Sequence, residues 1–343
     1  MKLIVVTQHV DRDHPSLGAT VPMLRALAAR VDELVVLADT AAPRALPANC
    51  RIRVFASRTK VGRGLRFLGA LVPELRGADA VLAHMCPIYA VLAAPVARPL
   101  RVRVLLWYTQ WHASTTLKAA ERAATRILSV EQASFPLASR KLDAIGHGVD
   151  AAELACRGAD PGGPLSVLAL GRYSPVKGYA TMIQGIGEAA ARGLDVRLAV
   201  HGPVSNARER GHFVELSRLV TELGLSERVA LGEALPRPQA LAYLARSNVL
   251  ASATVQGAAD KVVLEAALSC TPAIVPEHAF AGLVPEVLRF RAHDPGSFAE
   301  ALARYARLDP AERQRLGETL RQRALAAHTV ESWADAVVRI ASA

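Results

Sequence analysis

Short apolar runs alternate with stretches of helical periodicity, and this alternation constrains the fold more than any other feature of the chain. Eleven runs have the length and composition of buried strands. They span residues 3–6, 34–37, 52–55, 80–83, 102–107 and 127–130 in the first half, and 165–170, 196–200, 229–231, 249–251 and 273–275 in the second. Strands that alternate with helices predict parallel sheets covered on both faces.

The alternation is interrupted once, between residues 147 and 164, by a segment rich in glycine and proline: Gly148, Gly158, Pro161, Gly162, Gly163 and Pro164. We interpret this segment as a linker. A length of 343 residues also suits two domains. We therefore expect an α/β protein of two Rossmann-like, doubly wound domains, residues 1–150 and 151–327, with a ligand cleft between them.

Three features bear on the cell compartment. The four cysteines, at positions 50, 86, 156 and 270, have no paired spacing, so we expect a reducing compartment and neither a disulfide framework nor a zinc site. The apolar start of the chain is too short for a signal peptide. Residues 80–97 lack charged side chains, but His84, Pro87 and Pro95 interrupt them, which favours a strand and a short helix over a membrane span. A cytoplasmic protein is the resulting prediction.

The net charge of +10 favours anionic partners. Between residues 40 and 73 there is no acid, while apolar Phe67, Leu68, Leu71 and Val72 lie beside the basic side chains Arg44, Arg51, Arg53, Arg58, Lys60, Arg63 and Arg66. Such a patch suits an anionic membrane surface or a lipid-linked acceptor. It equally suits an ordinary solvated face. Nucleic acid is not an expected partner, since interleaved aromatic residues and known motifs are missing.

The first candidate site is the loop Gly171-Arg172-Tyr173-Ser174-Pro175-Val176-Lys177-Gly178, which directly follows a predicted strand. The guanidinium of Arg172 and the ammonium of Lys177 are the pair of cations that a diphosphate needs. The loop is not a P-loop, because no Ser or Thr follows the lysine to bind magnesium. Two surface cations on an ordinary loop remain the alternative.

The second candidate site begins at Gly257, where Gly257, Ala258 and Ala259 leave the backbone open to a close approach. Asp260 is a predicted N-cap, so a helix with free N–H groups for a phosphate should start at Lys261. Lys261 stands at the positive end of the helix dipole, and Lys before Glu is the weaker ion-pair order, so an incoming anion would explain it better. Glu265, a lone acid among apolar residues, either binds ribose hydroxyls or lies on the solvent face.

These two motifs, in this order, resemble the donor-phosphate loop and the donor helix of the family 4 glycosyltransferases, which have the GT-B fold. Ile145-Gly146-His147-Gly148-Val149-Asp150 is similar to the segment that closes the N-terminal domain of that family. The resemblance spans nearly the whole chain. It implies transfer of a sugar from a UDP- or GDP-sugar, with retention of configuration, no metal and no cofactor, and a C-terminal helix packed back on the N-terminal domain.

The resemblance also implies residue roles. Arg172 and Lys177 would hold the donor diphosphate and stabilise the leaving group, with charge stabilisation in place of a metal. Glu265 would bind the ribose, while Gly171, Gly257, Asp260 and Lys261 would line the donor site. Gly18 and Ala19 match the glycine-containing loop of the family near the phosphates.

Two departures from the family pattern leave roles open. The family usually carries a second glutamate eight positions before the residue that matches Glu265, and here that position is Gly257. A histidine near the transferred sugar is also common, and here either Gln110 or His112 takes that place. We treat His112 as the catalytic candidate, and a non-catalytic histidine at this position is an equal alternative. His84, Trp107 and Trp111 are more simply read as structural residues.

Two rival functions stay open at this stage. A GT-B epimerase or phosphorylase would share the fold and the donor motifs. A catalytically degenerate protein that binds nucleotide or anionic surfaces would explain the missing glutamate.

Overall fold

The computed structural model describes residues 1–12, 18–42, 46–110, 112–156, 163–254 and 260–343. Two compact units are present: unit 1 comprises Met1–Asp150 and Ala327–Ala343, and unit 2 comprises Ala151–Ala326. Some residues singled out in the sequence lie outside the described residues, namely Arg44, Trp111, Gly158, Pro161, Gly162, Gly257, Ala258 and Ala259.

Unit 1 contains a seven-stranded parallel sheet in the described residues, with strand order β3-β2-β1-β4-β5-β6-β7. The strands are β1 (Lys2–Val10), β2 (Glu33–Ala41), β3 (Cys50–Val54), β4 (Ala80–His84), β5 (Arg103–Trp107), β6 (Arg126–Ser129) and β7 (Leu142–Ala144). The central strands are almost wholly apolar, as parallel strands covered on both faces must be. Leu3, Ile4, Val5 and Val6 of β1 are all buried.

Unit 2 contains a six-stranded parallel sheet in its described part, with strand order β10-β9-β8-β11-β12-β13. The strands are β8 (Leu165–Leu170), β9 (Val196–His201), β10 (Val229–Gly232), β11 (Val249–Ala251), β12 (Ala273–Pro276) and β13 (Arg289–Phe290). The predicted doubly wound α/β fold is thus confirmed. The sequence did not predict β7 and β13, which have only three and two residues and no apolar run.

Helices connect the strands and cover both sheets. In unit 1 they are α1 (Thr20–Ala28), α2 (Lys60–Leu71), α3 (Pro87–Ala97), α4 (Thr115–Ala123) and the last helix, α11 (Val330–Ser342). In unit 2 they are α5 (Tyr179–Ala191), α6 (Ala207–Glu222), α7 (Arg237–Arg246), α8 (Lys261–Leu268), α9 (Pro295–Ala306) and α10 (Pro310–Ala327). A capping box begins α10, since Asp309 and Glu312 each accept the backbone N–H of the other.

The last helix, α11, packs within unit 1. Its buried Trp333 meets Trp107 of β5 edge to face, with 5.7 Å between ring centroids. Asp335 pairs with Arg30 just beyond α1, and Arg103 donates to the carbonyl oxygen of Ala341. Apolar burial and these polar contacts together fix the helix, and Trp107 is a packing residue.

One expectation about the cysteines is wrong. Cys156 and Cys270 form a disulfide with their Cα atoms 4.9 Å apart, although 114 residues separate them in the chain. Spacing along a sequence shows only local pairing, whereas this pair is brought together by the fold. The cysteine argument for a reducing compartment therefore no longer holds, and the cytoplasmic location stays a prediction.

In the part of the chain that the structure describes, no helix is long and apolar enough to cross a membrane. The uncharged stretch from Ala80 to Ala97 forms β4, a turn at Met85 and Cys86, and α3, as its proline positions predict.

Gly146 is required where the C-terminal segment returns to unit 1. Its φ is +76°, and a Cβ there would lie 1.6 Å from the carbonyl oxygen of Ala327. Gly77 has a similar φ of +72°, but a Cβ there meets nothing within 4 Å among the described residues.

We predict that Gly77→Ala lowers the free energy of unfolding by about 1 kcal/mol, from backbone strain alone. Gly146→Ala should lower it by about 3 kcal/mol or more, because strain and steric overlap add. Urea denaturation would measure both, and equal losses would contradict this account.

Candidate functional site

The strand order of unit 2 places a topological switch point between β8 and β11. From β8 the chain continues to β9 and β10 on one side of the sheet, then returns to β11 on the other side. The loops after β8 and β11 therefore leave the same carboxyl edge in opposite directions. Open α/β sheets bind ligands at this position. Both sequence-predicted motifs of unit 2 follow these two strands.

Glycines allow the two loops to approach closely. Gly171 and Gly178, at the ends of the first loop, have φ values of +149° and +65°. A Cβ at Gly178 would lie 2.5 Å from the carbonyl oxygen of Ala253, just after β11. A Cβ at Gly202, after β9, would lie 1.8 Å from the carbonyl oxygen of Gly171. A larger residue at any of these positions would push the loop after β8 away from its neighbours.

Tyr179 holds the same loop in place through its hydroxyl and its ring. Its hydroxyl donates to the carbonyl oxygen of Gly171 at 2.9 Å, and its ring meets that of Tyr173 edge to face. Burial, and then the nearby charge of Asp260, raise the pKa of Tyr179 well above 10. The hydroxyl therefore stays protonated at neutral pH and remains a hydrogen-bond donor to the loop.

Both cations of the first loop have an acidic partner. Arg172 Nη1 lies 3.2 Å from Oε1 of Glu209 in α6, while most of the Arg172 side chain is exposed. Lys177 Nζ lies 2.8 Å from Oδ2 of Asp260, and the Lys177 side chain is 20% exposed. A guanidinium carries five N–H donors and an ammonium three, so each cation keeps donors for a ligand.

Asp260 does not act in the way the sequence predicts. Helix α8 does begin at Lys261, with Asp260 at the N-cap position, but the Asp260 side chain accepts no N–H of its own helix. Its Oδ2 instead accepts from Lys177, from the Ser252 hydroxyl at 3.0 Å and from the Thr254 hydroxyl at 2.9 Å. The helix start is as predicted, but the side-chain bond of the cap is not, because Lys177, Ser252 and Thr254 compete for the carboxylate. Asp260 therefore caps none of the first N–H groups of α8.

Glu265 is largely buried at this edge rather than on a solvent face, with 13% of its side chain exposed. Its Oε1 lies 3.1 Å from Arg237 Nη1 and 3.2 Å from Lys261 Nζ. Lys261 thus forms the i,i+4 pair that its unfavourable order had argued against, and no ligand is needed to explain it. Glu265 still has a second oxygen, Oε2, to which no described residue donates.

Four functional candidates were missed in the sequence. Arg237 begins α7 after β10 and bridges Glu265 to Glu153. Glu209 holds Arg172, and the hydroxyls of Ser252 and Thr254 hold Asp260. Ser252 and Thr254 had a local signal in their place just after a predicted strand. Glu209 and Arg237 lie in helices, and strand order sets their partners.

The predicted residues of unit 2 therefore form one cluster at the carboxyl edge, in which Lys177, Asp260, Lys261 and Glu265 are linked by contacts or by adjacency in the chain. Arg172 lies in the same loop as Lys177. Gly257 falls outside the described residues. No group of three or more His, Cys, Asp or Glu side chains suited to a metal ion is found where the structure describes the chain.

Unit 1 has its own switch point, between β1 and β4. Gly18 lies in the turn before α1, and its carbonyl accepts the N–H of Val21. His84 ends β4, is 6% exposed, and its Nδ1 lies 3.4 Å from the Thr7 hydroxyl. His112 lies on the surface after β5, where its carbonyl accepts from the Tyr108 hydroxyl, and Gln110 is also exposed.

The basic patch is only partly as the sequence suggests. Arg58, Lys60 and Arg66 are exposed at or near α2. Arg63 turns inward, with Nη1 3.3 Å from Asp39 Oδ2 and Nη2 on the carbonyl oxygen of Ser57. Arg51 and Arg53 both pair with the buried Glu74. Residues 40–73 contain no acid, but Arg51, Arg53 and Arg63 pair with acids from outside this range and are structural.

The apolar residues of the patch only partly match the expectation. Phe67 and Leu71 lie in the core of unit 1, Leu68 packs against that core, and Val72 is 49% exposed. The outward side chains of α2 are Val61 and Leu65, which are 76% and 66% exposed. A helix with two apolar stripes can bury only one, and the sequence alone does not decide which.

The chain matches no protein-family model and no curated protein sequence. Solved structures are similar over the whole length. HepE of Anabaena, in complex with UDP, has a TM-score of 0.78 at 16% identity, covering 100% of both chains. Sucrose-phosphate synthase from Thermosynechococcus elongatus has a TM-score of 0.71 at 18% identity, covering 99% of this chain and 98% of that one. WaaG, a glycosyltransferase involved in lipopolysaccharide biosynthesis, has a TM-score of 0.66 at 13% identity, covering 99% of each.

At such identities the likeness shows the fold. The chain has the GT-B glycosyltransferase fold, and other structures of HepE contain UDP-glucose or UDP with glucose.

His84 should make the fold sensitive to mild acid. Burial lowers the pKa of His84 to about 4, and burial lowers the pKa of His328 to about 4 as well. Their stabilising contribution is present above the unfolded-state pKa of about 6.5 and is lost as the pH falls towards 4. Between pH 7 and pH 5 each should remove about 2 kcal/mol of stability. We predict that His84→Asn removes about half of the combined loss of unfolding free energy between pH 7 and pH 5. Urea denaturation at each pH would measure this loss, and an unchanged loss in the variant would contradict a buried neutral His84.

Proposed function

We propose that this protein transfers a sugar from a nucleotide-sugar donor to an acceptor hydroxyl. The observation that carries the proposal is the cluster at the β8/β11 switch point. There Arg172 and Lys177, the start of α8, which Asp260 does not cap, and the carboxylate of Glu265 come from separate segments to one sheet edge. A nucleoside diphosphate offers the matching groups, two phosphates and the two ribose hydroxyls.

In this proposal the cations do the main catalytic work. The bond from the anomeric carbon to the diphosphate breaks, the acceptor oxygen bonds to that carbon, and the acceptor proton passes to the leaving diphosphate. Charge grows on the diphosphate as the bond breaks. Arg172 and Lys177 would stabilise it with N–H donors that their acidic partners already hold in place.

Glu265 would bind the ribose. Arg237 and Lys261 both donate to Oε1, which fixes the position of the carboxylate. Oε2 is then available to accept from ribose hydroxyls. We infer that Arg237 positions Glu265, a role that the sequence gave no reason to expect.

The finer features of the reaction come from the resemblance to family 4 glycosyltransferases. On that basis we propose retention of configuration and no requirement for a metal or cofactor. UDP- and GDP-sugars are the proposed donors, and the UDP and UDP-glucose in the HepE structures make UDP-glucose the first to test. NMR of the product would give the anomeric configuration.

The main rival is a protein that binds nucleotide without turnover. Gly257, in place of a glutamate, favours it, because one carboxylate near the sugar is missing. Donor binding by calorimetry, with neither transfer nor sugar release over many hours, would identify this rival.

Substitution of the two cations tests the donor site. We predict that Arg172→Ala and Lys177→Ala each weaken UDP binding by roughly 10- to 100-fold, since each removes charge-assisted hydrogen bonds of about 1.5–3 kcal/mol. Isothermal titration calorimetry with UDP in the presence of EDTA measures this and also tests metal independence. Arg192→Ala is the matched control, because Arg192 is a half-exposed arginine of unit 2 that pairs with Glu188. If no UDP-, GDP- or ADP-sugar stabilises the wild type in a thermal-shift screen, the donor proposal is wrong.

We further propose that the acceptor is lipid-linked or anionic and lies at an anionic membrane surface. The support is the outer face of α2, where Val61 and Leu65 are exposed among Arg58, Lys60 and Arg66. Apolar side chains can enter the headgroup region while the cations meet lipid phosphates. Arg63 is left out of this surface because it faces Asp39.

Vesicle binding tests the membrane surface. Replacing Arg58, Lys60 and Arg66 together by Gln should weaken binding to phosphatidylglycerol-containing vesicles by about 3 kcal/mol, or roughly 100-fold. Val61→Ser with Leu65→Ser should weaken it further. The control replaces Arg208, Arg210 and Arg218 of α6 by Gln, with the same change in net charge. Equal losses in the test and control variants would show a general charge effect and not a surface on α2.

A further inference from the structure

Asp260 is placed where an aspartate usually stabilises its own helix, yet its side chain is used elsewhere. At the N-cap of α8 it accepts no N–H of the helix. One oxygen, Oδ2, instead receives three donors: Lys177 from the loop after β8, and Ser252 and Thr254 from the loop after β11. A carboxylate that ties two loops in this way serves the geometry of the switch point.

Lys177 is the group that this arrangement controls. Its side chain runs over Gly171, where a Cβ would lie 3.0 Å from Lys177 Cε and 3.4 Å from Nζ. The ammonium is therefore held between the open backbone of Gly171 and the carboxylate of Asp260. An unpaired lysine would sample many rotamers.

We propose that Asp260 is a positioning residue of the donor site, which holds the ammonium of Lys177 where the donor diphosphate binds; this rests on the proposed function. A carboxylate beside a diphosphate repels it, so a site built for affinity alone would have no acid here. The repulsion is offset because Lys177 is already in place when charge develops on the leaving group. Two of its three N–H groups remain for phosphate oxygens.

The proposal predicts a split between binding and rate. Removing Asp260 ends both the repulsion and the positioning, so UDP affinity should change by less than about threefold, since the two effects oppose each other. Turnover depends on position in the transition state, so kcat should fall by roughly 10- to 100-fold in Asp260→Ala. Asp260→Asn keeps an oxygen that can accept from Lys177 and should recover part of the loss.

The experiment compares the wild type, Asp260→Ala, Asp260→Asn and the control Asp294→Ala. Asp294 is also an N-cap aspartate of unit 2, but its side chain does cap α9, by accepting the N–H of Ser297 at 2.9 Å. UDP affinity is measured by calorimetry, kcat and KM by UDP release from UDP-glucose, and folding by thermal melting. The control should lower the melting temperature and leave kcat unchanged, whereas the Asp260 variants should lower kcat.

The outcomes separate the two proposals. A wild type that binds UDP and turns over donor, with kcat lost in Asp260→Ala and partly restored in Asp260→Asn, supports the inference. An active wild type whose Asp260→Ala variant turns over as fast or faster overturns the inference and leaves sugar transfer standing. A wild type that no UDP-, GDP- or ADP-sugar stabilises in the thermal-shift screen overturns the proposed function, and the inference with it.

Discussion

The close contact between the loops after β8 and β11 is the constraint on which the candidate site depends. Strand order sends these loops in opposite directions from neighbouring strand ends. Only glycine fits at Gly178, where a Cβ would lie 2.5 Å from the carbonyl oxygen of Ala253. That contact brings Lys177 within 2.8 Å of Asp260. The strand order thus fixes the distance between the charged groups of Lys177 and Asp260.

The charges at this edge are nearly balanced, which decides how an anion would bind. Four cations, Arg172, Lys177, Arg237 and Lys261, lie against four acids, Glu153, Glu209, Asp260 and Glu265. Long-range attraction is therefore weak, and affinity has to come from directed hydrogen bonds. Arg172 pairs with Glu209 and Arg237 with Glu265, and in each pair the acid is less exposed than the cation. Such an arrangement orders the N–H donors in advance, so that a ligand loses less entropy on binding them.

The sequence predicts the sheets well and the site only in part, for one physical reason. Buried parallel strands must be apolar, so strands such as Leu165–Leu170 can be predicted from their composition. Arg172 and Lys177 are also local signals, as cations between glycines after a strand. Their partners Glu209 and Asp260 are 37 and 83 residues away in the chain, and strand order alone brings them near. The Cys156–Cys270 disulfide is invisible in the sequence for the same reason.

Helix α8 shows how the wider fold supports the site. Eight residues are too few for a stable isolated helix, so its direction is set by tertiary contacts. Asp260 ties its start to Lys177, and Glu265 ties its middle to Arg237, which also holds Glu153. Just after its end, Cys270 is bonded to Cys156, three residues beyond Glu153. The segment that precedes β8 thus holds α8 at two points. The position of Glu265 relative to Lys177 therefore depends on residues that would never touch a ligand.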